Sequence, residues 1–482
     1  MTRHPERRIR PGLYIRPCGP SRMHIEQRTT NDAACLIIGA GHCGLSVAAS
    51  LRKQGIDPII LEKNTHVGDQ WRQRYERLHL HHITDAMHLS DVPFPSHYPR
   101  YLSRLDFADY LESYAQLQNL DIRCGHRVTY LGRDSQGRWE AHVQRAGEEH
   151  PLVFTADHVV LAAGTTGITP REPELPGREE WLGKVLHSHE YYSPDEFAGK
   201  RVLVVGAGNS GIEILCDLYD HKADTSMLIR APNSWVTRET YAIYHRALLV
   251  AQKVFKYVPF TWLIAPFFIF GLDAYLKYDV RRRYGDLSSK GIRPLPATPM
   301  IEAVKSRGAR PPTYVDGTWG DVGVSIFDLI RTDKVKTYTS EIARLEPGTN
   351  TVVFKDGASA EFDAVLLCTG FEPIQSYYKD FVDEQVYEQL SKEAVFRFLE
   401  PMKELPGLWI AMGSIVSSRF GQAALGERIA AQIQQRRTSS LILNPILSFL
   451  FAGLEPMMIR VPRMTIAINL VALVLVLAWA FS

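Results

Sequence analysis

The sequence is poor in cysteine, and this limits the chemistry that the chain can carry. Its 482 residues include six cysteines, and no two of them stand in a Cys-x-x-Cys pair. A disulfide-stabilised scaffold or a dithiol redox centre needs regularly spaced or neighbouring cysteines, so neither is expected. The composition favours a protein of a reducing compartment.

Neither acidic nor basic side chains are in large excess. The 55 basic and 53 acidic side chains give a formal net charge of +2, so nothing global indicates a nucleic-acid partner. A chain of this length predicts two or three domains. One group of histidines lacks the cysteine or acidic partners at the spacing of a metal site, and no metal is expected. Its members are His79, His81, His82 and His88.

The sequence does contain a glycine-rich turn after an apolar stretch. Gly39, Gly41 and Gly44 follow Leu-Ile-Ile and open a segment with helical spacing of apolar residues. This pattern is typical of a dinucleotide site, because the glycines allow a tight turn, a close approach of the backbone to a pyrophosphate, and a helix packed onto the strand. Glu62, 23 residues after Gly39, ends a second apolar strand, where a carboxylate can accept both ribose hydroxyls.

A second copy of this turn lies in the middle of the chain. It consists of Gly206, Gly208, Asn209, Ser210 and Gly211. Arg230 stands 24 residues after Gly206, one step beyond the offset at which the first copy has Glu62. An arginine there would bind a 2′-phosphate that a carboxylate would repel. This predicts NADPH at the second site and a dinucleotide with free ribose hydroxyls, such as FAD, at the first.

Two matching segments indicate how the sites are arranged. Residues 157–164 and 363–370 each place an aspartate seven residues before a glycine that ends a buried strand. A buried strand that ends at a glycine is expected where the chain leaves one nucleotide-binding domain and where it later returns to that domain. The predicted fold is α/β, with two Rossmann-like dinucleotide-binding domains and the NADPH domain inserted in the FAD domain. The predicted bounds are a leader 1–33, FAD segments 34–170 and 336–440, an NADPH domain 171–335 and a tail 441–482.

Three further segments bear on localisation. The basic leader is interpreted as a disordered tail or an early start codon, with an organelle-targeting leader as the alternative. The apolar insertion 241–300 fits an interfacial segment, a lid over a substrate channel or a dimer seam. Residues 464–481 form an apolar run of 18 residues, about 27 Å as a helix. This run predicts a C-terminal membrane anchor with the catalytic body facing the cytoplasm, a buried terminal helix being the alternative.

With these features, the chain resembles the class B flavin-containing monooxygenases over residues 34–440. Residues 181–191 are similar to the family's Phe-x-Gly-x-x-x-His-x-x-x-Tyr/Phe signature, with Trp181 in place of the usual Phe. The final Tyr191 favours the nitrogen- and sulfur-oxidising enzymes over the Baeyer–Villiger branch. His187 is expected to tie the linker between the domains. Residues 75–81 look closer to the plant auxin-forming enzymes, and residues 366–371 are similar to the family's exit motif.

The resemblance implies an NADPH- and FAD-dependent monooxygenase. Through a C4a-hydroperoxyflavin it would insert one atom of O2 at nitrogen or sulfur of a small lipophilic substrate. His81 is the candidate catalytic residue, close to the isoalloxazine. The residues expected at FAD are Gly39, Gly41, Gly44, Glu62, Gln70, Trp71 and Val128, and those at NADPH are Gly206, Gly208, Asn209, Ser210, Gly211 and Arg230. Membrane association and a homodimer are expected, and a nucleic-acid partner is not.

Four alternatives differ in the chemistry they require. A Baeyer–Villiger oxygenase would act on ketones, and an auxin-type enzyme would decarboxylate its substrate oxidatively. A flavin disulfide reductase would need a cysteine pair near the flavin, which this sequence lacks. A non-catalytic flavoprotein that senses NADPH would keep both dinucleotide sites without oxidising a substrate.

Overall fold

The computed structural model describes most of the chain between its termini. The described ranges are 31–164, 169–230, 235–237, 281–292, 313–315, 325–372, 374–392, 404–411 and 422–434. Isolated positions, 242–243, 246–247, 271, 274–275, 278–279 and 402, complete the set.

The strands, in chain order, are β1 (Asp32–Ile38), β2 (Ile59–Glu62), β3 (Asp121–Cys124), β4 (His126–Arg133), β5 (Trp139–Arg145), β6 (Leu152–Leu161), β7 (Lys184–His187), β8 (Arg201–Val205), β9 (Asp224–Leu228), β10 (Trp235–Thr237), β11 (Thr313–Val315), β12 (Lys336–Tyr338), β13 (Ile342–Leu345), β14 (Thr351–Phe354), β15 (Ser359–Glu361), β16 (Ala364–Leu367) and β17 (Leu408–Ile410). The helices are α1 (His42–Lys53), α2 (Asp69–Arg72), α3 (Arg104–Leu117), α4 (Asn209–Asp220), α5 (Ile326–Arg331), α6 (Ile374–Tyr378), α7 (Glu384–Lys392) and α8 (Ala423–Ile433).

The first sheet holds the first glycine turn. Its parallel part runs β3-β2-β1-β6, and the long strand β6 has two partners on its other side. The first half of β6 pairs antiparallel with β5, whereas the second half pairs parallel with β17. The parallel strands read as continuous apolar runs because helices α1, α3 and α8 cover one face and the β4–β5 hairpin with α6 and α7 covers the other.

The second sheet holds the second glycine turn. Its order is β12-β9-β8-β16-β7, and all of its strands are parallel. Every one of these strands lies in the chain between β6 and β17 of the first sheet. The Rossmann-like α/β architecture predicted from the sequence is therefore confirmed in the described residues, with the second sheet between two segments of the first.

The chain returns to the first sheet later than the predicted boundary at 336. Strands β12 and β16 pair with β9 and β8 of the second sheet, although both fall in the predicted second FAD segment. The small antiparallel sheet β13-β14-β15 packs on the same second unit, since Leu345 and Phe354 share a core with Leu203 and Val365. The second unit thus extends to the end of β16, and β17 then rejoins the first sheet.

Two connections join the units, and they run side by side. A bridge pairs Pro170 with Phe371 in antiparallel register, and the amide of Arg171 donates to the carbonyl of Gly370 over 3.0 Å. The fully buried His187 donates from Nε2 to that same carbonyl over 3.0 Å, and its ring edge meets Phe371. His187 thus contacts the linker between the units, as expected from the sequence. Burial lowers the pKa of its imidazole, so the ring is neutral and keeps this donor at neutral pH.

Several sequence predictions fall outside the described residues. They concern residues 1–30 of the leader, most of the insertion 241–300, and the tail beyond 434, which includes the apolar run 464–481. Among the residues that the structure does describe, no helix has both the length and the apolar character that crossing a membrane requires.

Candidate functional site

The first glycine turn is shaped by close packing of helix on strand. Gly39 has φ +108°, and a Cβ on it would lie 2.5 Å from the carbonyl oxygen of Ala162. A Cβ on Gly44 would lie 2.0 Å from the carbonyl oxygen of Gly39. Gly41 differs, because no heavy atom of the described residues lies within 4 Å of the Cβ position. The chain itself thus requires glycine at the first and third positions, whereas the second opens onto free space.

That free space is a cavity at the N-terminus of α1. Its volume is about 270 Å³, and Gly41, His42 and Cys43 at the N-terminus of the helix line it, so this end of the helix faces a space in which an anion could bind. The cavity is lined by Ile38, Gly39, Ala40, Gly41, His42, Cys43, Leu61, Glu62, Lys63, Asn64, Gly68, Gln70, Trp71, Arg74, Leu78, Leu111, His126, Arg127, Val128, Ala162, Ala163, Gly164, Tyr377, Phe381 and Ala411.

Glu62 is fixed at one end of this cavity. Its Oε2 accepts a hydrogen bond from the amide of Ala40 over 2.8 Å, and its Oε1 accepts one from the amide of Asn64 over 2.9 Å. Each carboxylate oxygen has a second lone pair to offer. The buried carboxylate is therefore held in place by the turn and can still accept from the hydroxyls of a ribose.

Cationic side chains that the sequence did not single out also line the cavity. They are Lys63, Arg74 and Arg127. Burial, and then the charge of Arg127, lowers the pKa of Lys63, and burial lowers the pKa of Arg74. These three cations outnumber the one carboxylate of the described lining, Glu62. The lining is therefore favourable for an anion such as a pyrophosphate. Lys63 could have been noticed, since it directly follows Glu62, but the other two reach the cavity only through the fold.

Three predicted FAD contacts lie in the cavity wall. Gln70 and Trp71 belong to the short helix α2, which begins after Gly68 in the left-handed conformation. The Trp71 ring packs edge-on against Phe107, with 5.0 Å between ring centroids. Val128 lies in β4 at a register shift. These elements bring the three residues to the same space as the first glycine turn.

The second glycine turn repeats the geometry of the first. A Cβ on Gly206, whose φ is +117°, would lie 2.4 Å from the carbonyl oxygen of Cys368. A Cβ on Gly211 would lie 2.0 Å from the carbonyl oxygen of Gly206, whereas no described heavy atom lies within 4 Å of the position on Gly208. Helix α4 begins here with Asn209 and Ser210, and no described side chain caps it. Its N-terminus therefore faces free space at the second glycine in the same way as that of α1.

Arg230 lies two residues beyond the end of β9. Its side chain is 60% exposed, and its Nε is 3.8 Å from Oε1 of Glu341. Lys355 contacts the same carboxylate and is the main cause of its lowered pKa. The guanidinium of Arg230 is thus loosely held at the surface, where a phosphate could reach it.

His81 does not belong to the cavity lining. Its ring lies against helix α4, with Nε2 3.9 Å from Oε1 of Glu213. Its expected place close to a flavin therefore stays a prediction, and its observed neighbour is the helix of the second turn.

The chain is similar in sequence to known oxidoreductases. The family model described as pyridine nucleotide-disulphide oxidoreductase matches residues 36–248. The indole-3-pyruvate monooxygenase YUCCA1 of Oryza sativa subsp. japonica is 32% identical over 76% of this chain and 84% of its own. The probable indole-3-pyruvate monooxygenase YUCCA9 of Arabidopsis thaliana is 30% identical over 81% of this chain and 85% of its own. The chain belongs to the class B flavin monooxygenases.

Solved structures show the same fold. Cyclohexanone monooxygenase in its open form covers 84% of this chain and 88% of its own with a TM-score of 0.62 and 17% identity. The flavin-containing monooxygenase of Stenotrophomonas maltophilia covers 84% and 99% with a TM-score of 0.54 and 20% identity. An oxidised steroid monooxygenase bound to NADP covers 84% and 85% with a TM-score of 0.60 and 18% identity.

The family assignment confirms the expectation from the sequence. The protein is an NADPH- and FAD-dependent flavin monooxygenase, and membership implies FAD and NADPH as cofactors. The residues fit this pair. The first cavity offers an open helix N-terminus, a fixed carboxylate and a cationic wall, and the second turn offers an open helix N-terminus near an arginine.

Matched substitutions at the two open glycines test the assignment of the sites. Gly41→Ala and Gly208→Ala each place a methyl group in free space, so both proteins should fold with stability within about 0.5 kcal/mol of the cofactor-free wild type. Gly41→Ala should lose FAD and appear colourless, whereas Gly208→Ala should stay yellow and bind NADPH at least about tenfold more weakly. Flavin absorbance and titration calorimetry measure the two effects. A yellow Gly41→Ala protein would overturn the assignment of the first cavity.

Proposed function

We propose that the protein uses NADPH and O2 to oxygenate a small organic substrate, with FAD bound in the first cavity and NADPH at the second glycine turn. Bound FAD would supply the transfer of two electrons from NADPH and the activation of O2. For each turnover, one oxygen atom would enter the substrate, the other would leave as water, and NADPH and a proton would be consumed.

One observation carries this proposal. Two glycine turns each leave free space at the second glycine, and one chain segment lines the first cavity and packs into the unit that holds the second turn. Arg74 and Leu78 of this segment line the first cavity, while Tyr75 between them packs in the core of the second unit. Such a connection suits a reaction in which electrons pass from a dinucleotide on one unit to a flavin on the other.

The chain's own residues would bind and orient the two cofactors. Glu62 would accept from the ribose hydroxyls, and the amides at the start of α1 would face the pyrophosphate together with Lys63 and Arg127. Gln70 and Trp71 would flank the flavin. At the second turn, the start of α4 would hold the phosphates and Arg230 the 2′-phosphate.

The substrate class has support from two directions. The sequence-based preference for nitrogen or sulfur rests on Tyr191, whose hydroxyl donates to Oδ2 of the buried Asp217 over 2.7 Å. A tyrosine held in this way acts on packing, so it does not discriminate between substrates directly. The two plant relatives are named for indole-3-pyruvate, a 2-oxo acid. We therefore place oxidative decarboxylation of an aromatic 2-oxo acid beside N- and S-oxygenation as the second candidate reaction.

The predicted membrane tail belongs to this proposal as well. A lipophilic substrate that enters from a membrane would be consistent with the apolar insertion and with residues 464–481, which lie outside the described residues. A homodimer likewise stays a prediction.

Oxygen-isotope labelling tests the proposed function. The yellow protein is mixed with NADPH, ¹⁸O2 and one of four probes: indole-3-pyruvate, a thioether, a tertiary amine or a cyclic ketone. We expect one ¹⁸O atom in the product of at least one probe, and, for the 2-oxo acid, one CO2 per NADPH consumed. If NADPH is consumed with each probe and only hydrogen peroxide forms, the protein is an oxidase or a sensor and the proposal fails.

Arg230→Ala tests the choice of NADPH over NADH. Loss of a charge-assisted contact to the 2′-phosphate, worth about 1.5–3 kcal/mol, should weaken NADPH binding by about 10- to 100-fold and leave NADH binding unchanged. Lys355→Ala is the matched control, since it removes the other cation that contacts Glu341. An equal loss for both dinucleotides in Arg230→Ala, or the same effect in Lys355→Ala, would contradict the role of Arg230.

A further inference from the structure

Helix α4, which follows the second glycine turn, carries a row of carboxylates. Glu213, Asp217 and Asp220 are four and three residues apart, so they lie on one face of the helix. Glu213 and Asp217 are each only 3% exposed. Buried carboxylates are costly unless they are hydrogen-bonded, so their partners hold information about what the helix must contact.

The partners of Glu213 and Asp220 come from the other unit. The hydroxyl of Tyr75 donates a short hydrogen bond to Oε2 of Glu213, and Arg77 forms an ion pair of 2.6 Å with Asp220. Both residues belong to the segment that follows α2 in the first unit. This segment is further tied to the second unit by the amide of Glu76, which donates to the carbonyl of Tyr192 over 2.9 Å.

Tyr75 is the centre of this contact. Its ring is buried among the core residues of the second unit, and burial raises the pKa of its hydroxyl well above the usual range, so it stays a donor at all physiological pH values. The side chain of Ser210, in the first turn of α4, opposes this rise of the pKa. One hydroxyl thus joins Glu213 of the second dinucleotide helix to the segment that lines the first cavity.

We propose that Tyr75 and Glu213 are positioning residues that fix helix α4, and with it the dinucleotide bound at its N-terminus, relative to the flavin cavity. The inference rests on the proposed function of the two sites. Arg74 and Leu78 line the cavity on either side of Tyr75 in the sequence, so a shift of α4 is transmitted directly to the cavity wall. Binding of a dinucleotide at the second site should accordingly slow hydrogen exchange in residues 74–82.

The chain offers a closely matched control for this contact. Tyr191 also donates a buried phenolic hydrogen bond to a carboxylate of α4, that of Asp217, one turn further along the helix. Tyr191 follows β7 of the second sheet, so its own hydrogen bond lies within the second unit. Its ring packs against that of Tyr75, with 6.0 Å between centroids, and Oδ1 of Asp217 is 3.6 Å from Arg77, but both of these contacts remain in Tyr191→Phe. Tyr75→Phe and Tyr191→Phe therefore each remove one phenolic hydroxyl that donates to a carboxylate of α4. They differ in whether the lost hydrogen bond joins the two units.

Hydrogen exchange of the FAD-loaded full chain, with and without NADP⁺, measures the coupling. In the wild type, NADP⁺ should slow exchange both in α4 and in the peptide 74–82. In Tyr75→Phe, protection of α4 should persist while that of 74–82 falls by about tenfold or more, because the lost hydrogen bond leaves a buried carboxylate oxygen without its donor. Tyr191→Phe should behave as the wild type.

A second pair of variants covers the case in which Tyr75→Phe does not fold. Glu213→Gln keeps an oxygen that accepts from Tyr75 and should retain most of the protection of 74–82, whereas Glu213→Ala should lose it. In turnover, Tyr75→Phe and Glu213→Ala should release more hydrogen peroxide per NADPH than Tyr191→Phe, because a displaced α4 would no longer hold the dinucleotide in its place relative to the flavin cavity.

The outcomes separate this inference from the proposed function. If the wild type forms labelled product but Tyr75→Phe and Tyr191→Phe show the same exchange and the same peroxide release, the positioning role is overturned and the proposed function stands. If NADP⁺ protects neither segment in the wild type, the second site is wrongly assigned and both fail. If NADP⁺ protects α4 but no longer protects residues 74–82 from hydrogen exchange in Tyr75→Phe, the inference is supported.

Discussion

The structure depends on one contact that occurs twice, the approach of a helix to the strand before it at a glycine turn. In each copy the third glycine faces the carbonyl oxygen of the first so closely that a Cβ would lie 2.0 Å from it. This approach aims the first amides of α1 and α4 at free space and leaves them without a described side-chain cap. The anion binding proposed for both sites therefore rests on backbone packing, to which side chains would add selectivity.

The two sites differ in how the surrounding charge is held. Glu62 is buried and receives two backbone amides, so its position is set before any ligand binds. Arg230 is largely exposed and only loosely paired with Glu341. A carboxylate fixed before binding suits the ribose expected at the first site, and an exposed arginine suits the 2′-phosphate expected at the second. The buried contacts of Tyr75 and Glu213 then keep the two sites in a fixed relation.

The sequence predicted what depends on local spacing. Both glycine turns, Glu62 and the α/β class follow from residues close together in the chain, and the structure places each turn between a strand and a helix and Glu62 at the end of β2. Lys63, Arg74 and Arg127 reach the cavity from three elements, and the hydrogen bond between Tyr75 and Glu213 spans 138 positions, so neither feature leaves a local pattern. The return of the chain was placed too early because the partners of β12 and β16 are decided by tertiary packing, and neither Lys-Thr-Tyr in β12 nor Ala-Val-Leu-Leu in β16 shows which sheet it joins.

In the proposed function, one unit holds FAD and the other delivers electrons to it from NADPH. The most direct test is to mix the yellow protein anaerobically with NADPH or NADH and to follow the visible absorbance of the flavin. NADPH should bleach the flavin rapidly at concentrations at which NADH bleaches it slowly. Flavin that stays oxidised with NADPH, or is reduced equally well by both dinucleotides, would contradict it.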